Sequence, residues 1–360
     1  MPFSIERKKT RSIRVGNVDI GNFARIPVQS MTNTFTSDVR ATVAQIKRLE
    51  EAGCEIVRVA VPDIKSAKAI CLIKEKVSIP IIADIHFDYR LAIASARARA
   101  DGLRLNPGNI GGKEKIKAVV NCARDFNIPI RIGVNAGSLE KELLKKYNSA
   151  SAEAMVESAL RHVELLTDLN FDQIKISIKA SDVYRTLEAY ALLSEKTDFP
   201  LHVGVTEAGP LIPGIVKSGL GIGMLLAQGI GDTIRVSLTR DPVEEVKAGF
   251  EILRALNIRE HGPEIISCPT CGRCRINLFD MVEEVENAML SKKIPVKIAI
   301  MGCVVNGPGE AREADIGIAG GDGKGVLFKK GKVIKSFPQE RAVRVLLEEV
   351  KREEEKWENR

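Results

Sequence analysis

The feature that most constrains the fold is an alternation of short apolar runs with amphipathic helical patterns through most of the chain. Helical patterns cover residues 37–52, 113–126, 151–166, 182–196 and 242–256. Eight such strand–helix units fit within the ~250 residues of a typical (β/α)8 barrel, so the sequence predicts a TIM-type α/β barrel. The eight strand-like runs begin near Ile26, Glu55, Ile79, Gly102, Ile128, Phe171, Pro200 and Thr233.

An open doubly wound sheet is the alternative arrangement of the same elements. It is disfavoured by the count of eight units and by the lack of a Gly-x-Gly-x-x-Gly motif after the first strand. The glycines at 219, 221 and 223 lie inside a helix-like segment. Residues 12–20 predict a hairpin that turns at Gly16-Asn17. Good helix N-caps stand at Ser37 or Asp38, Ser151, Asp182 and Asp241, the last followed by Pro242.

The alternation stops at residues 257–263, where a second domain is expected to begin. Beyond it the sequence predicts a helix near 277–290, a strand at 295–301, hairpin material at 317–335 and a terminal helix from Gln339. We therefore predict a barrel over residues 1–260 and a small α+β domain over residues 261–360.

Composition narrows the classes of protein and partner. No stretch approaches the ~20 apolar residues of a membrane helix, and no apolar segment of a secretory signal stands at the N-terminus. We therefore expect a cytoplasmic protein without a membrane span. The formal net charge is +7, but aromatic residues make up only 4% and are not interleaved with basic runs, as a base-stacking surface requires. A small polyanion is the expected partner rather than nucleic acid.

Polar residues inside the predicted strands point to what the barrel binds. Strand residues alternate between the helices and the lumen, so Val57 and Val59 face outward and Arg58 faces inward. Barrel lumens are normally filled by Val, Ile and Leu, and six inward cations call for an anionic ligand such as a diphosphate. The same parity places inward Asp84, His86, Arg104, Asn106, Arg131, Asn135, Lys175, Ser177, Lys179, His202, Arg235 and Ser237.

Glu207 follows the seventh predicted strand, at the barrel end where enzymes of this fold place catalysis. It is a candidate proton donor, and a salt bridge to a neighbouring arginine explains its position equally well. His86 and His202 are interpreted as hydrogen-bonding groups rather than metal ligands.

Cysteines supply the second chemical signal. The chain has seven, which argues against a disulfide framework. Cys54, Cys71 and Cys122 have apolar neighbours and are expected in the core. Close thiols with one remote thiol are typical of an iron–sulfur site, whereas structural zinc sites usually draw on two pairs. The clustered thiols are Cys268, Cys271 and Cys274, and the remote one is Cys303.

Several long motifs carry a resemblance that covers nearly the whole chain. The chain resembles the 4-hydroxy-3-methylbut-2-enyl diphosphate synthases of the methylerythritol phosphate route to isoprenoids, in their compact bacterial two-domain form. The motifs are Cys268-Pro269-Thr270-Cys271-Gly272-Arg273, Met301-Gly302-Cys303-Val304-Val305-Asn306-Gly307-Pro308-Gly309-Glu310, and residues 26–32, 83–86 and 103–109.

The resemblance implies an oxidoreductase whose barrel holds 2-C-methyl-D-erythritol 2,4-cyclodiphosphate and whose small domain carries a 4Fe-4S cluster. It implies reductive ring opening with loss of water, and it adds Asn109 and Asn306 to the substrate-binding set. Glu207 and Glu310 are the catalytic candidates. The implied cluster ligands are Cys268, Cys271, Cys303 and Glu310, although Cys274 offers an all-cysteine alternative.

The resemblance also implies a head-to-tail homodimer, in which one subunit's cluster domain caps the other's barrel. The expected electron donor is reduced flavodoxin or ferredoxin. Two other hypotheses stay open on the residues alone. One is a nucleic-acid-binding protein with a zinc ribbon, and the other is a pterin- or phosphosugar-binding barrel with a structural metal domain.

Overall fold

The computed structural model describes residues 4–272, 274, 276–289, 292–303, 311–321 and 323–359, with only the backbone described at Pro107. The chain divides into two compact units, Met1–Ile258 and Arg259–Arg360.

The first unit opens with a hairpin. Strands β1 (Ile13–Val15) and β2 (Val18–Ile20) pair antiparallel across Gly16 and Asn17, as predicted. Gly16 has φ +58°, in the left-handed region that the turn requires. Ile13, Val15 and Ile20 pack with Ile56 and Ile82 in a separate apolar cluster.

Eight parallel strands form the centre of the first unit, within residues 28–234. Six of them, β3 to β8, make one sheet in chain order, and β9 and β10 make a pair. Parallel bridges from Ile176 to Leu201 and from Val28 to Ile234 join the pair to both edges of the sheet, which closes the ring. The strands are β3 (Gln29–Met31), β4 (Ile56–Ala60), β5 (Ile81–Asp84), β6 (Gly102–Leu105), β7 (Ile130–Asn135), β8 (Ile174–Lys179), β9 (His202–Val203) and β10 (Thr233–Ile234).

Helices follow the strands around the ring, and the outward strand residues pack with them in one apolar core. The helices are α1 (Val39–Glu51), α2 (Ile64–Lys74), α3 (Tyr89–Arg97), α4 (Pro107–Ile110), α5 (Lys113–Asp125), α6 (Lys141–Tyr147), α7 (Ala152–Thr167), α8 (Val183–Lys196), α9 (Leu211–Ala227) and α10 (Pro242–Ala255). A short 3-10 helix, Ala136–Ser138, follows β7.

Helix starts agree with the predicted caps. Asp38, rather than Ser37, accepts a hydrogen bond from the Ala41 backbone N–H at the start of α1. Asp241 caps α10, with Pro242 at the first helical position, where a missing N–H costs nothing. Ser151 and Asp182 cap α7 and α8 in the same way.

In its described residues, the second unit is a five-stranded mixed sheet with two helices. Strands β11 to β13 run parallel and β13 to β15 antiparallel. The sequence reading overlooked β11, because four residues directly after a break in the pattern carry little periodicity. The elements are β11 (Glu264–Ser267), α11 (Leu278–Met289), β12 (Lys297–Met301), β13 (Ile316–Gly321), β14 (Lys324–Lys329), β15 (Lys332–Pro338), the 3-10 turn Gln339–Arg341 and α12 (Ala342–Glu358).

Among the described residues, no helix combines the length and the apolar character that crossing a bilayer requires.

Candidate functional site

A buried carboxylate joins three neighbouring strands inside the ring. Asp84 at the end of β5 lies 3.4 Å from Arg58 Nε of β4 and 3.1 Å from Arg104 Nη1 of β6. Burial by itself raises the pKa of Asp84, but Arg58, His86 and Arg104 outweigh it and hold the pKa well below its usual range. Asp84 is therefore ionised and fixes both arginines in the lumen.

Two glycines make room for the long cationic side chains. A Cβ at Gly133 in β7 would lie 2.9 Å from Arg104 Nη2, and a Cβ at Gly204 would lie 2.7 Å from Lys179 Nζ. Such contacts are closer than real Cβ atoms tolerate. The absent side chains thus leave the space that Arg104 and Lys179 occupy.

The lumen also holds cations that form no ion pair with a carboxylate among the described residues. Arg131, Lys175 and Lys179 are all buried, and β7 pairs with β8 so that Arg131 stands beside Lys175. Burial and the charge of Arg131 lower the pKa of Lys175 to about 7. Burial and the neighbouring cations also lower the pKa of Arg131 and of Lys179. An anion in this space would relieve that mutual repulsion.

His202 acts as a neutral hydrogen-bonding group. Burial and nearby Lys179 hold its pKa well below the usual value, so the imidazole is neutral at pH 7. Lys179 Nζ lies 3.3 Å from Nε2 and can donate to it, which leaves Nδ1–H to donate to Thr233 Oγ1 at 2.6 Å. The interpretation of His202 as a positioning group fits this geometry.

Several buried donors have no hydrogen-bond partner within the described part of the chain. Buried polar groups are normally paired, so a set of unpaired donors on neighbouring strands indicates a ligand site. The donor atoms are Arg104 Nε, Arg131 Nε and Nη1, Lys175 Nζ, Arg235 Nε and Gln29 Nε2.

The analysis of strand alternation did not predict Glu245 as a site residue. This buried carboxylate of α10 lies 3.4 Å from Arg235 Nη2 and accepts a hydrogen bond from Ser30. Strand alternation could not find it, because Glu245 reaches the ring from a helix. Met31 was also missed, and its Sδ lies 3.0 Å from Arg58 Nη2 and 3.9 Å from Arg235 Nη1.

Other predicted site residues have local roles or lie at the margin. Asn106 accepts the backbone N–H of Gly108 and caps α4, and Ser177 hydrogen-bonds Tyr190. His86 follows β5 and is 56% exposed, with Nε2 3.8 Å from Asp84. Asn109 is exposed, and Asn135 and Ser237 are half-buried.

Glu207 lies beyond the carboxyl end of β9 in an unusual backbone conformation. Its φ is +52°, which is rare for a residue with a Cβ and concentrates at functional sites. The side chain is exposed rather than set among the cations, and no ion pair to it occurs among the described residues. The salt-bridge interpretation of Glu207 thus has no partner in the described part of the chain.

In the second unit, two of the cysteines follow neighbouring strands at one edge of the sheet. Cys268 and Cys303 follow the parallel neighbours β11 and β12, and Gly302 donates its backbone N–H to Cys268 Sγ at 3.3 Å. N–H···S hydrogen bonds are a normal feature of iron–sulfur sites. Cys274 lies beside Gly302 as well, whereas Cys271 is exposed.

Within the described ranges, no three His, Cys, Asp or Glu side chains are grouped closely enough to hold a metal ion. Two residues of the predicted site, Asn306 and Glu310, lie outside those ranges. The thiols and the backbone donor at this edge fit an iron–sulfur centre in donor chemistry.

Comparison with known proteins bears on both units. The GcpE TIM-barrel domain family matches residues 10–250, and the GcpE protein C-terminal domain family matches residues 264–352. A protein of Thermodesulfovibrio yellowstonii is 58% identical over 97% of this chain and 100% of its own length. One from Caldanaerobacter subterraneus is 60% identical over 96% of this chain and 98% of its own. Both are named 4-hydroxy-3-methylbut-2-en-1-yl diphosphate synthase (flavodoxin).

Among solved structures, a type I 3-dehydroquinate dehydratase from Clostridium difficile matches 69% of this chain and 98% of its own, at 17% identity and a TM-score of 0.51. At such low identity this likeness concerns the fold alone. The two family matches and the full-length relatives agree over both units. The chain belongs to the GcpE family.

Proposed function

We propose that this chain is the 4-hydroxy-3-methylbut-2-enyl diphosphate synthase of isoprenoid biosynthesis, acting on 2-C-methyl-D-erythritol 2,4-cyclodiphosphate. The reaction takes up two electrons and two protons, opens the ring at a carbon–oxygen bond and releases one water. The observation that carries the proposal is the group of buried cations with unpaired donors inside the ring. Its chemistry matches the diphosphate in the relatives' name.

The cations have a clear role in binding. Arg58, Arg104, Arg131, Lys179 and Arg235 would donate charge-assisted hydrogen bonds to phosphate oxygens, each contributing about 1.5–3 kcal/mol. Asp84 and Glu245 hold three of the arginines in place before the ligand arrives. Because these side chains are already ordered, little conformational entropy is lost on binding.

Glu207 is proposed as the proton donor. Glu207 follows the carboxyl end of β9, and barrel enzymes carry out their chemistry at that end of the ring. In the described residues, no cation neutralises it. Its left-handed backbone fixes the direction in which the side chain leaves the chain.

The test for Glu207 is Glu207→Gln, which preserves shape and hydrogen bonding but removes the acidic proton. We expect the substrate to bind as in the wild type and turnover to fall by about 10²–10⁴-fold. Glu188→Gln, at an exposed position of α8, is the matched control and should turn over normally. Normal turnover by Glu207→Gln would remove the residue from the proposed mechanism.

The cofactor proposed is a 4Fe-4S cluster held by Cys268, Cys271, Cys303 and Glu310. When bound, such a cluster supplies electrons to the substrate. Cys268 and Cys303 support the assignment because they follow neighbouring parallel strands. A carboxylate is a weaker ligand for this iron than a thiolate, so Glu310 would leave one iron accessible.

Metal analysis after anaerobic purification tests the cofactor. We expect brown protein with about four iron and four sulfide per chain, as the cluster formula requires. Colourless protein containing zinc would instead favour a structural zinc domain. Cys268→Ser, Cys271→Ser and Cys303→Ser should each lose the iron. Cys274→Ser should keep the iron. If Cys274→Ser instead loses the iron while Glu310→Ala keeps it, the cluster has four cysteine ligands.

The proposed partners are reduced flavodoxin, as in the relatives' name, and a second copy of this chain in the cytoplasm. Helix α9 supports the second copy. Ile212, Val216, Leu220 and Met224 expose large apolar groups along it, and Lys217 is its only charged residue. Contiguous exposed apolar patches of this kind mark interaction surfaces.

A further inference from the structure

Two thiols of the second unit approach the same point in space. A Cβ at Gly302 would lie 2.6 Å from Cys274 Sγ and 3.3 Å from Cys268 Sγ. Because both sulfur atoms lie within 3.3 Å of one point, they are separated by less than twice that distance. The absence of a side chain at Gly302 leaves the space between them open.

The two thiols also share their surroundings. Cys268 and Cys274 are both half-buried and pack against the same apolar core. Within the described residues, Cys274 Sγ makes one weak hydrogen bond, to the Ile276 carbonyl oxygen at 3.4 Å. Cys271 lies in the Cys-x₂-Cys spacing that usually predicts a redox pair, but its side chain is exposed.

We propose that Cys268 and Cys274 form a reversible disulfide when the chain carries no cluster and meets a peroxide. The two thiols give up two electrons and two protons to hydrogen peroxide. One S–S bond forms, the O–O bond breaks and two waters leave. A dithiol reductant returns the two electrons and two protons and restores both thiols.

The bond has a protective consequence, which rests on the proposed role of Cys268 as a cluster ligand. A thiol oxidised by peroxide first becomes a sulfenic acid, and further oxidation to a sulfinic acid is irreversible in most proteins. A neighbouring thiol that captures the sulfenic acid keeps the sulfur recoverable. Cys274 would therefore preserve Cys268 for a later round of cluster assembly.

Peptide mapping tests which sulfur atoms join. Trypsin cuts after Arg259, Arg273 and Arg275, so residues 260–273 carry Cys268 and Cys271, and residues 274–275 carry Cys274. The full chain, stripped of metal under reducing conditions, is treated with hydrogen peroxide, alkylated and digested without reductant. We expect the 274–275 dipeptide to be attached to Cys268, as fragmentation between Cys268 and Cys271 will reveal.

Three results of the mapping would overturn the proposal: attachment of the dipeptide to Cys271, a dominant bond between Cys268 and Cys271, or no bond at all. In Cys274→Ser, we expect the sulfinic acid at Cys268 to increase about threefold or more at equal peroxide, because the capturing thiol is gone. Cys71→Ser, which removes a half-buried thiol of α2, is the matched control and should behave as the wild type. Equal sulfinic acid in Cys274→Ser and the wild type would contradict the protective role.

The mapping is independent of the cofactor proposal. If the protein binds zinc rather than iron and sulfide but still joins Cys268 to Cys274, the cluster proposal is wrong and the disulfide proposal is supported. If the protein assembles the cluster but joins other sulfur atoms, the cluster proposal is supported and the disulfide proposal is wrong.

Discussion

Replacing Gly133 with alanine tests whether the lumen cations bind the diphosphate. The new Cβ would lie 2.9 Å from Arg104 Nη2 and 3.0 Å from Cζ, so the guanidinium group must move. It would then lose its hydrogen bonds to Asp84 Oδ1 at 3.1 Å and to the Gly133 carbonyl oxygen at 3.2 Å. If Arg104 no longer reaches the ligand, one charge-assisted contact of about 1.5–3 kcal/mol is lost.

That loss corresponds to binding weakened by roughly 10- to 100-fold, since each 1.4 kcal/mol is about a factor of ten. Titration calorimetry with the cyclic diphosphate measures it directly. Gly137→Ala is the matched control, because a Cβ there meets nothing within 4 Å, and its affinity should stay within about twofold of the wild type.

Thermal melting and circular dichroism establish whether Gly133→Ala is folded. Should it fail to fold, Arg104→Gln carries the same test, since it removes the charge without adding a side chain beside the strand. Wild-type affinity in a folded Gly133→Ala or in Arg104→Gln would refute Arg104 as a phosphate ligand.

Three further predictions concern the same two units. Without ligand, Lys175→Met should raise the free energy of unfolding by an amount on the order of 4 kcal/mol at pH 6. The gain should shrink from about pH 7 towards pH 10.5, because the folded wild type sheds the Lys175 proton while the unfolded chain keeps it; a gain independent of pH in denaturant titrations would contradict this. Arg131→Ala should weaken substrate binding about tenfold or more with iron content unchanged, and wild-type kinetics would rule out its role. Glu207→Gln mixed with Cys268→Ser should regain part of the activity through heterodimers; no recovery after proven subunit exchange would place the whole site within one chain.

Strand alternation predicted much of the lumen. Arg58, Arg104 and Arg131 lie where their spacing placed them, because a parallel strand offers each side chain only two directions. Glu245 could not be found in this way, since the approach of a helix to a strand is a tertiary property. The role of Gly133 could not be predicted for a similar reason. It depends on a tertiary neighbour, Arg104, whose side chain occupies the space beside the glycine.

The margins of the ring were harder to predict. Glu207 was expected among the cations, yet its left-handed backbone leaves the side chain exposed, and sequence alone does not reveal the backbone angle of a residue with a Cβ. The sequence grouped Cys274 with Cys268 and Cys271, but it did not predict that Cys274 and Cys268 would both lie beside Gly302. Sequence spacing does not define which backbone position a cysteine side chain approaches across a sheet edge.

The hairpin of β1 and β2 has a consequence for how molecules enter and leave. Its residues Ile13, Val15 and Ile20 pack with Ile56 and Ile82, which belong to the amino-terminal parts of β4 and β5. Because this apolar cluster lies against the amino-terminal parts of these two strands, we expect the ligand to enter the ring at the carboxyl ends of the strands. If substrate and product pass through this same opening, a slowly departing product delays the next substrate, however fast the chemical step is.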